Sequence, residues 1–201
     1  MKYLKQFETQ SAYDAAKDGL VLPNVSLINA DGHVEYEPYV EPVETRVVAK
    51  FNITDTSNPT MIACSTSAFT AIEIDGVEQS SLVTAYTFDT VGEHTVKYTL
   101  KDPTKMDQNQ LNRSYMGPPT GISAVSIIVP DTVVNIGSMA FYGYTSLTSL
   151  TFKSVTPPVC ECYGSFGNSN NCPIYVPSES VDAYKAATYW NDFASRIQAI
   201  Q

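Results

Sequence analysis

The chain has 201 residues, 43% of them hydrophobic and 16% charged, with 13 Tyr and 8 Phe, a composition that excludes a disordered chain and suits folded, β-rich structure in one or two domains. Twelve basic against 21 acidic residues give a formal charge of −9, which opposes approach to phosphate backbones and anionic lipid, so nucleic acid is not an expected partner. No apolar run of about 18 residues occurs, and Met1-Lys2-Tyr3-Leu4-Lys5-Gln6-Phe7-Glu8 carries no secretory apolar stretch, so neither membrane insertion nor a signal peptide is expected.

Residues 1–44 read as a leader. Thr9 or Ser11 can cap a short helix through Tyr13, Ala15 and Ala16, with Gly19 placed to end it. The apolar run Leu20 to Ile28 is broken by Pro23, which suits an edge strand or extended arm. Asp31, Glu35, Glu37, Glu41 and Glu44, with Pro38 and Pro42, then read as a solvated acidic linker.

Residues 45–102 alternate strand-like stretches with turn residues. Arg46 to Ile53 is a first strand, Ala71 to Val77 a second ending in an Asp-Gly turn, and Ala85 to Phe88 a third. In Gly92 to Leu100 the period of two is plainest: Val96, Tyr98 and Leu100 point one way, Thr95, Lys97 and Thr99 the other. Short strands at this spacing predict a small immunoglobulin-like antiparallel β-sandwich. Residues 103–121, with Gln108-Asn109-Gln110 and Gly117-Pro118-Pro119, read as a linker.

From 122 to 201 the sequence repeats. Ser126-Ile127-Ile128-Val129-Pro130 recurs as Ser149-Leu150-Thr151-Phe152-Lys153 and as Pro173-Ile174-Tyr175-Val176-Pro177, at offsets of 23 and 24 residues. That period is in the range of leucine-rich solenoids, in which each unit supplies a strand and a return segment to a shared core. Val133, Ile136, Ala140, Phe141, Leu147, Leu150 and Phe152 are the expected core positions, and Gly137 marks a turn. The second unit is degenerate, with Val155 to Val159 and the loop Cys160 to Cys172 in place of a helical return. An amphipathic helix starting at Ser178 or Ser180 and carrying Val181, Tyr184, Ala187, Trp190, Phe193 and Ile197 is expected to cap the array. The predicted fold is therefore mainly β: an immunoglobulin-like antiparallel β-sandwich, then a short leucine-rich-repeat solenoid with a C-terminal helical cap.

The sequence holds little material for chemistry. His33 and His94 are the two histidines, so no catalytic constellation and no cofactor site is expected. Cys160, Cys162 and Cys172 permit a soft metal with a fourth ligand, a disulfide pinning the loop (Cys162 with Cys172), or free thiols; the one-residue gap departs from usual zinc spacing, and no metal site is assigned. If the array binds a partner, its strand face is the place, and there Ser126, Ile128, Ser149, Thr151 and Tyr175 alternate with core positions.

Val129-Pro-Asp-Thr-Val-Val-Asn-Ile-Gly-Ser-Met-Ala-Phe-Tyr-Gly-Tyr-Thr-Ser-Leu-Thr-Ser-Leu150 resembles the BspA-like leucine-rich repeat of bacterial surface proteins, whose unit reads roughly IPxSVxxIGxxAFxGCxSLxxI, with Tyr144 standing where the pattern usually has Cys. Tyr175 to Trp190 is similar to the usual ending of such arrays. This resemblance implies adhesion at a cell surface or outside the cell, with a protein or glycan partner and no catalytic residues to carry over. The leader segments Leu22 to Leu27 and Val34 to Pro38 resemble the N-terminus of phage or prophage structural proteins from gut anaerobes, which implies a virion component, tail-type or receptor-binding, as the alternative. An enzyme of unknown type is the third reading.

Overall fold

The structure is a computed structural model that describes residues 3–6, 25–28, 34–35, 44–106, 111, 121–161, 163–167, 169 and 171–201. It divides into two compact units, Met1–Glu44 and Thr45–Gln201. In the first unit, β1 (Tyr3–Gln6) pairs in parallel with β2 (Val25–Ile28), and β2 pairs antiparallel with β3 (Val34–Glu35). The apolar run expected at an edge therefore supplies the middle of three strands. Pro23, the reason for placing it at an edge, precedes the paired residues. The helix expected between Thr9 and Gly19 lies outside the described residues, as does the acidic stretch apart from β3 and Glu44.

The second unit is mainly β, built on one large mixed sheet. Its strands are β4 (Val47–Ile53), β6 (Phe69–Ile74), β7 (Val77–Glu78), β9 (Gly92–Leu100), β11 (Ile122–Val129), β13 (Leu147–Phe152), β15 (Ile174–Val176) and β16 (Ile197–Ala199), in the spatial order β16-β15-β13-β11-β4-β9-β6-β7. From β11 to β16 all pairings are parallel; from β11 through β4, β9 and β6 to β7 they are antiparallel. Two smaller ladders accompany it: β5 (Thr60–Met61) with β8 (Ala85–Tyr86), antiparallel, and β10 (Lys105–Met106) with β12 (Asn135–Ile136) and β14 (Val159–Cys160), parallel.

The 23- and 24-residue offsets reappear as strand register. Ile127 lies beside Leu150 and Leu150 beside Ile174, and a further step of 23 residues places Ile174 beside Ile197. The chain returns between these strands through the β10-β12-β14 ladder, whose Met106, Ile136 and Cys160 are buried. All seven expected core residues of the repeat, from Val133 to Phe152, have 0% exposure. An aromatic cluster fills the C-terminal end. Trp190 meets Phe152 and Phe166 at 4.9 Å and Tyr184 at 4.8 Å between ring centroids, and its Nε1–H donates to Pro158 O at 2.8 Å.

Two boundaries differ from the sequence expectation. Residues 103–121 do not separate two compact units, because β11 zips antiparallel onto β4 from Ile122/Ile53 to Ile128/Val48 and makes one sheet of both regions. Within that stretch β10 is paired, and both Met106 and Leu111 are fully buried. Proline and glycine are a local signal, and hydrogen bonding between distant strands overrode it. The C-terminal helix, α1 (Val181–Ala186), is also shorter than expected: Ala187 is extended (φ −70°, ψ 147°) and Tyr189 is left-handed (φ 65°). The chain then makes a 3-10 turn, Asn191–Arg196, and ends as β16. The steps from Val181 to Phe193 are all of three residues, which suits 3-10 turns as well as an α-helix, and Ile197 is buried from a strand.

In the antiparallel half, β4 and β9 fall where the sequence placed strands, whereas the expected second strand is divided by its turn into β6 and β7 and the third is reduced to the two residues of β8. Asp75 and Gly76 both have positive φ, 48° and 82°, the conformation a two-residue hairpin turn demands. Val96, Tyr98 and Leu100 face inward, and the Tyr98 hydroxyl donates to Ile62 O at 2.6 Å, tying β9 to the segment that follows β5.

Candidate functional site

The period of two makes the large sheet two-faced. One face carries Ile174, Leu150, Ile127, Ala49, Val96 and Ile74, all 3% exposed or less. On the other, one row crosses all eight strands by direct pairing: Gln198, Tyr175, Thr151, Ile128, Val48, Lys97, Glu73 and Glu78. A second row runs Ser149, Ser126, Lys50, Thr95. At about 4.8 Å between strands the first row is about 34 Å long.

All five residues singled out from sequence, Ser126, Ile128, Ser149, Thr151 and Tyr175, stand on this face, half-buried and adjacent in register. The sequence reading missed the exposed Gln198 because its segment was assigned to a helix; the signal that would have found it is the recurrence of Ile174-Tyr175 as Ile197-Gln198 at the repeat offset. It also missed the continuation onto β4, β9 and β6, which no local pattern announces.

The two halves of the face differ in kind. In the antiparallel half the ions satisfy one another: Arg46 Nη1 donates to Glu73 Oε2 at 2.8 Å, Lys97 Nζ lies 3.4 Å from Glu73 Oε1, and Lys50 Nζ donates to Glu93 Oε1 at 2.8 Å. The Arg46 guanidinium holds the Glu73 carboxyl below its usual range against the opposing pull of burial, with Lys97 adding to the effect. In the parallel half the paired outward positions Ser126, Ile128, Ser149, Thr151, Tyr175 and Gln198 carry no charge, and among the described residues the polar side chains of this set form no hydrogen bond with protein groups. A neutral ladder of hydroxyls, a phenol and an amide thus faces outward, with Ile128 as its apolar member.

Of the proposed Cys162 and Cys172 pair, Cys162 lies outside the described residues. Cys172 is a buried free thiol next to Arg196, whose Nη2 donates to its Sγ at 3.3 Å and whose Nε donates to its carbonyl at 2.8 Å. Burial pushes this thiol up in pKa, and the guanidinium only partly offsets it. Among the described residues no group of three His, Cys, Asp or Glu side chains is placed to hold a metal ion, and no helix is long and apolar enough to cross a membrane. Comparison of the chain with models of protein families and with characterised proteins finds no match.

Proposed function

We propose that this chain is a recognition module displayed at a surface, of a cell or of a virion, and that it engages a protein or glycan partner through the outward face of β11, β13, β15 and β16. The observation that carries this reading is the contrast across one continuous sheet: the charged half pairs Arg46, Lys97 and Lys50 with Glu73 and Glu93, while the neutral half leaves its hydroxyl and amide groups uncommitted. Polar groups without intramolecular partners can exchange water for a ligand at little cost, and Tyr175 adds rigid amphipathic area of the kind enriched in binding surfaces. A neutral face also lets a chain of net charge −9 meet an uncharged partner without a desolvated ion.

We read residues 122–199 as a short leucine-rich-type solenoid. Parallel pairing at steps of 23, 24 and 23 residues and the accompanying β10-β12-β14 ladder support this, together with the resemblance of Val129 to Leu150 to the BspA-like repeat. The antiparallel half, with the β5-β8 ladder tied to Tyr98, is the counterpart of the immunoglobulin-like domain expected from sequence.

The test is a panel of neutral glycans and matrix proteins probed with the full chain, the double variant Thr151→Ala/Tyr175→Ala, and Lys50→Ala. Binding in the micromolar range, weakened roughly tenfold or more by the double variant and unchanged by Lys50→Ala, is expected for a face whose aromatic member is an anchor. Absence of binding across the panel, or binding indifferent to Thr151→Ala/Tyr175→Ala, refutes it.

A further inference from the structure

His94 belongs to a different part of the molecule. It shares the parity of Val96, Tyr98 and Leu100 on β9, so its ring turns toward the core side at the rim of the sheet, where the side chain is 11% exposed. The Phe88 ring packs on it with centroids 4.5 Å apart. Nδ1 stands 2.7 Å from Asp75 Oδ2, and Nε2 stands 2.9 Å from the Thr90 carbonyl oxygen. An ionised carboxylate and a carbonyl only accept, so both contacts are hydrogen bonds only when both ring nitrogens donate. That state is the imidazolium.

We propose that His94 is a proton-gated clamp: charged, it ties the Asp75-Gly76 hairpin turn and the Thr90 turn to the start of β9, and on losing its proton it releases the Thr90 carbonyl alone. The asymmetry follows from the partners. A neutral ring keeps one proton, and leaving it on Nδ1 preserves the charge-assisted bond to Asp75. The bare Nε2 then confronts the lone pairs of Thr90 O, and this contact turns from attractive to repulsive. Thr90 Oγ1, 3.4 Å from Nε2, can take over by donating its hydroxyl proton to that nitrogen. Thr90 thus holds one partner for each protonation state, its carbonyl for the imidazolium and its hydroxyl for the imidazole. Asp75 stays anchored throughout, since its Oδ1 accepts from Thr95 N–H at 2.8 Å and its own N–H donates to Thr95 O at 2.9 Å. The turn whose carbonyl is released carries Val91, 64% exposed.

Asp75 is the one charged group bonded to the ring among the described residues. Glu93, its neighbour on β9, points to the opposite face, where Lys50 of β4 pairs with it at 2.8 Å. Phe51, opposite His94 on β4, and Phe88 bring no charge. Asp89 and Glu78 are exposed and bond neither ring nitrogen. Burial pulls the His94 pKa down, but the bonds to Asp75 and Thr90 together outweigh it and hold the group above its ordinary value of 6.5. A raised folded pKa means that the clamp's contribution is complete below the unfolded pKa and is lost as pH rises through the folded one.

Nitrogen-15 NMR of the imidazole in the full chain reads both protonation and tautomer. The expected result is a titration centred above 6.5 with the neutral form protonated at Nδ1. Asp75→Asn should shift the midpoint down, since it weakens the partner of the charged form. Thr90→Val should shift it up, because it deletes the hydroxyl that serves the neutral form and keeps the carbonyl that serves the charged one. Thr90→Val decides the matter by itself if Asp75→Asn disturbs the turn, because a histidine that is merely packed has no reason to become a weaker acid. A wild-type midpoint at or below 6.5, a neutral form protonated at Nε2, or a Thr90→Val midpoint that stays or falls overturns the proposal.

Discussion

Replacing Trp190 by alanine probes whether one aromatic cluster closes the core at its C-terminal end. Trp190 is fully buried, is the single tryptophan of the chain, and contacts Phe152, Phe166 and Tyr184 at ring distances of 4.8 to 4.9 Å. Truncating a buried Trp to Ala costs about 3–5 kcal/mol, from lost transfer energy and an incompletely collapsed cavity. For a unit of this size each kcal/mol is worth roughly 2–4 °C in Tm, so Trp190→Ala should melt about 6–20 °C below wild type. Trp190→Phe separates the two roles of the side chain. It retains an aromatic ring but strands the Pro158 carbonyl that accepts the Nε1–H bond, a loss of about 1–3 kcal/mol. Far-UV circular dichroism is the suitable assay, because the substitution removes the fluorophore itself. A Trp190→Ala melting curve within about 2 °C of wild type would show that the cluster does not carry the packing assigned to it.

Gly121→Ala should destabilise by about 1–3 kcal/mol, since φ is +73° and a Cβ there would stand 2.9 Å from the Asp55 carbonyl oxygen. Gly76→Ala, at φ +82° with open space around it, should cost only about 1 kcal/mol; equal losses in urea titrations would refute the close approach. Arg46→Ala should lower Tm most near neutral pH. Because the folded Glu73 pKa is depressed by the Arg46 bond, that stabilisation is present above the unfolded carboxylate pKa and lost as pH falls through the folded one. A Tm deficit that does not shrink with acidification contradicts this. Deleting residues 191–201 should strip β16 from β15 and uncover the Trp190 cluster, giving aggregation from a newly exposed strand edge; a monomeric product by size-exclusion chromatography would show that β16 closes nothing.

Much of this architecture is legible along the chain, because period and offset are local properties. The alternation Val96, Tyr98, Leu100 gives β9 and its buried face, the Asp75-Gly76 pair gives the β6-β7 turn, and the recurrence of Ser126-Ile127 as Ser149-Leu150 gives both register and core. The five outward residues were found the same way, since a face with a period of two needs only the core positions to be known. What stayed hidden depends on residues far apart in sequence. That Ile197 to Ala199 is a strand rather than the end of a helix follows from the vacant edge of β15 and from the left-handed Tyr189, neither of which a three- and four-residue apolar spacing reveals.

The same reasoning separates the rest. The sequence by itself determined the β-rich class, the strand repeat with its core and outward positions, and the overall acidity. Only the tertiary structure decided that β11 joins β4, so that an antiparallel and a parallel half share one sheet and one outward face. It also decided that His94 stands between two acceptors contributed by separate turns. Side-chain type and spacing report which surface a residue prefers to bury, whereas the pairing of distant strand edges and the convergence of turns are settled by backbone hydrogen bonds whose partners lie tens of residues away.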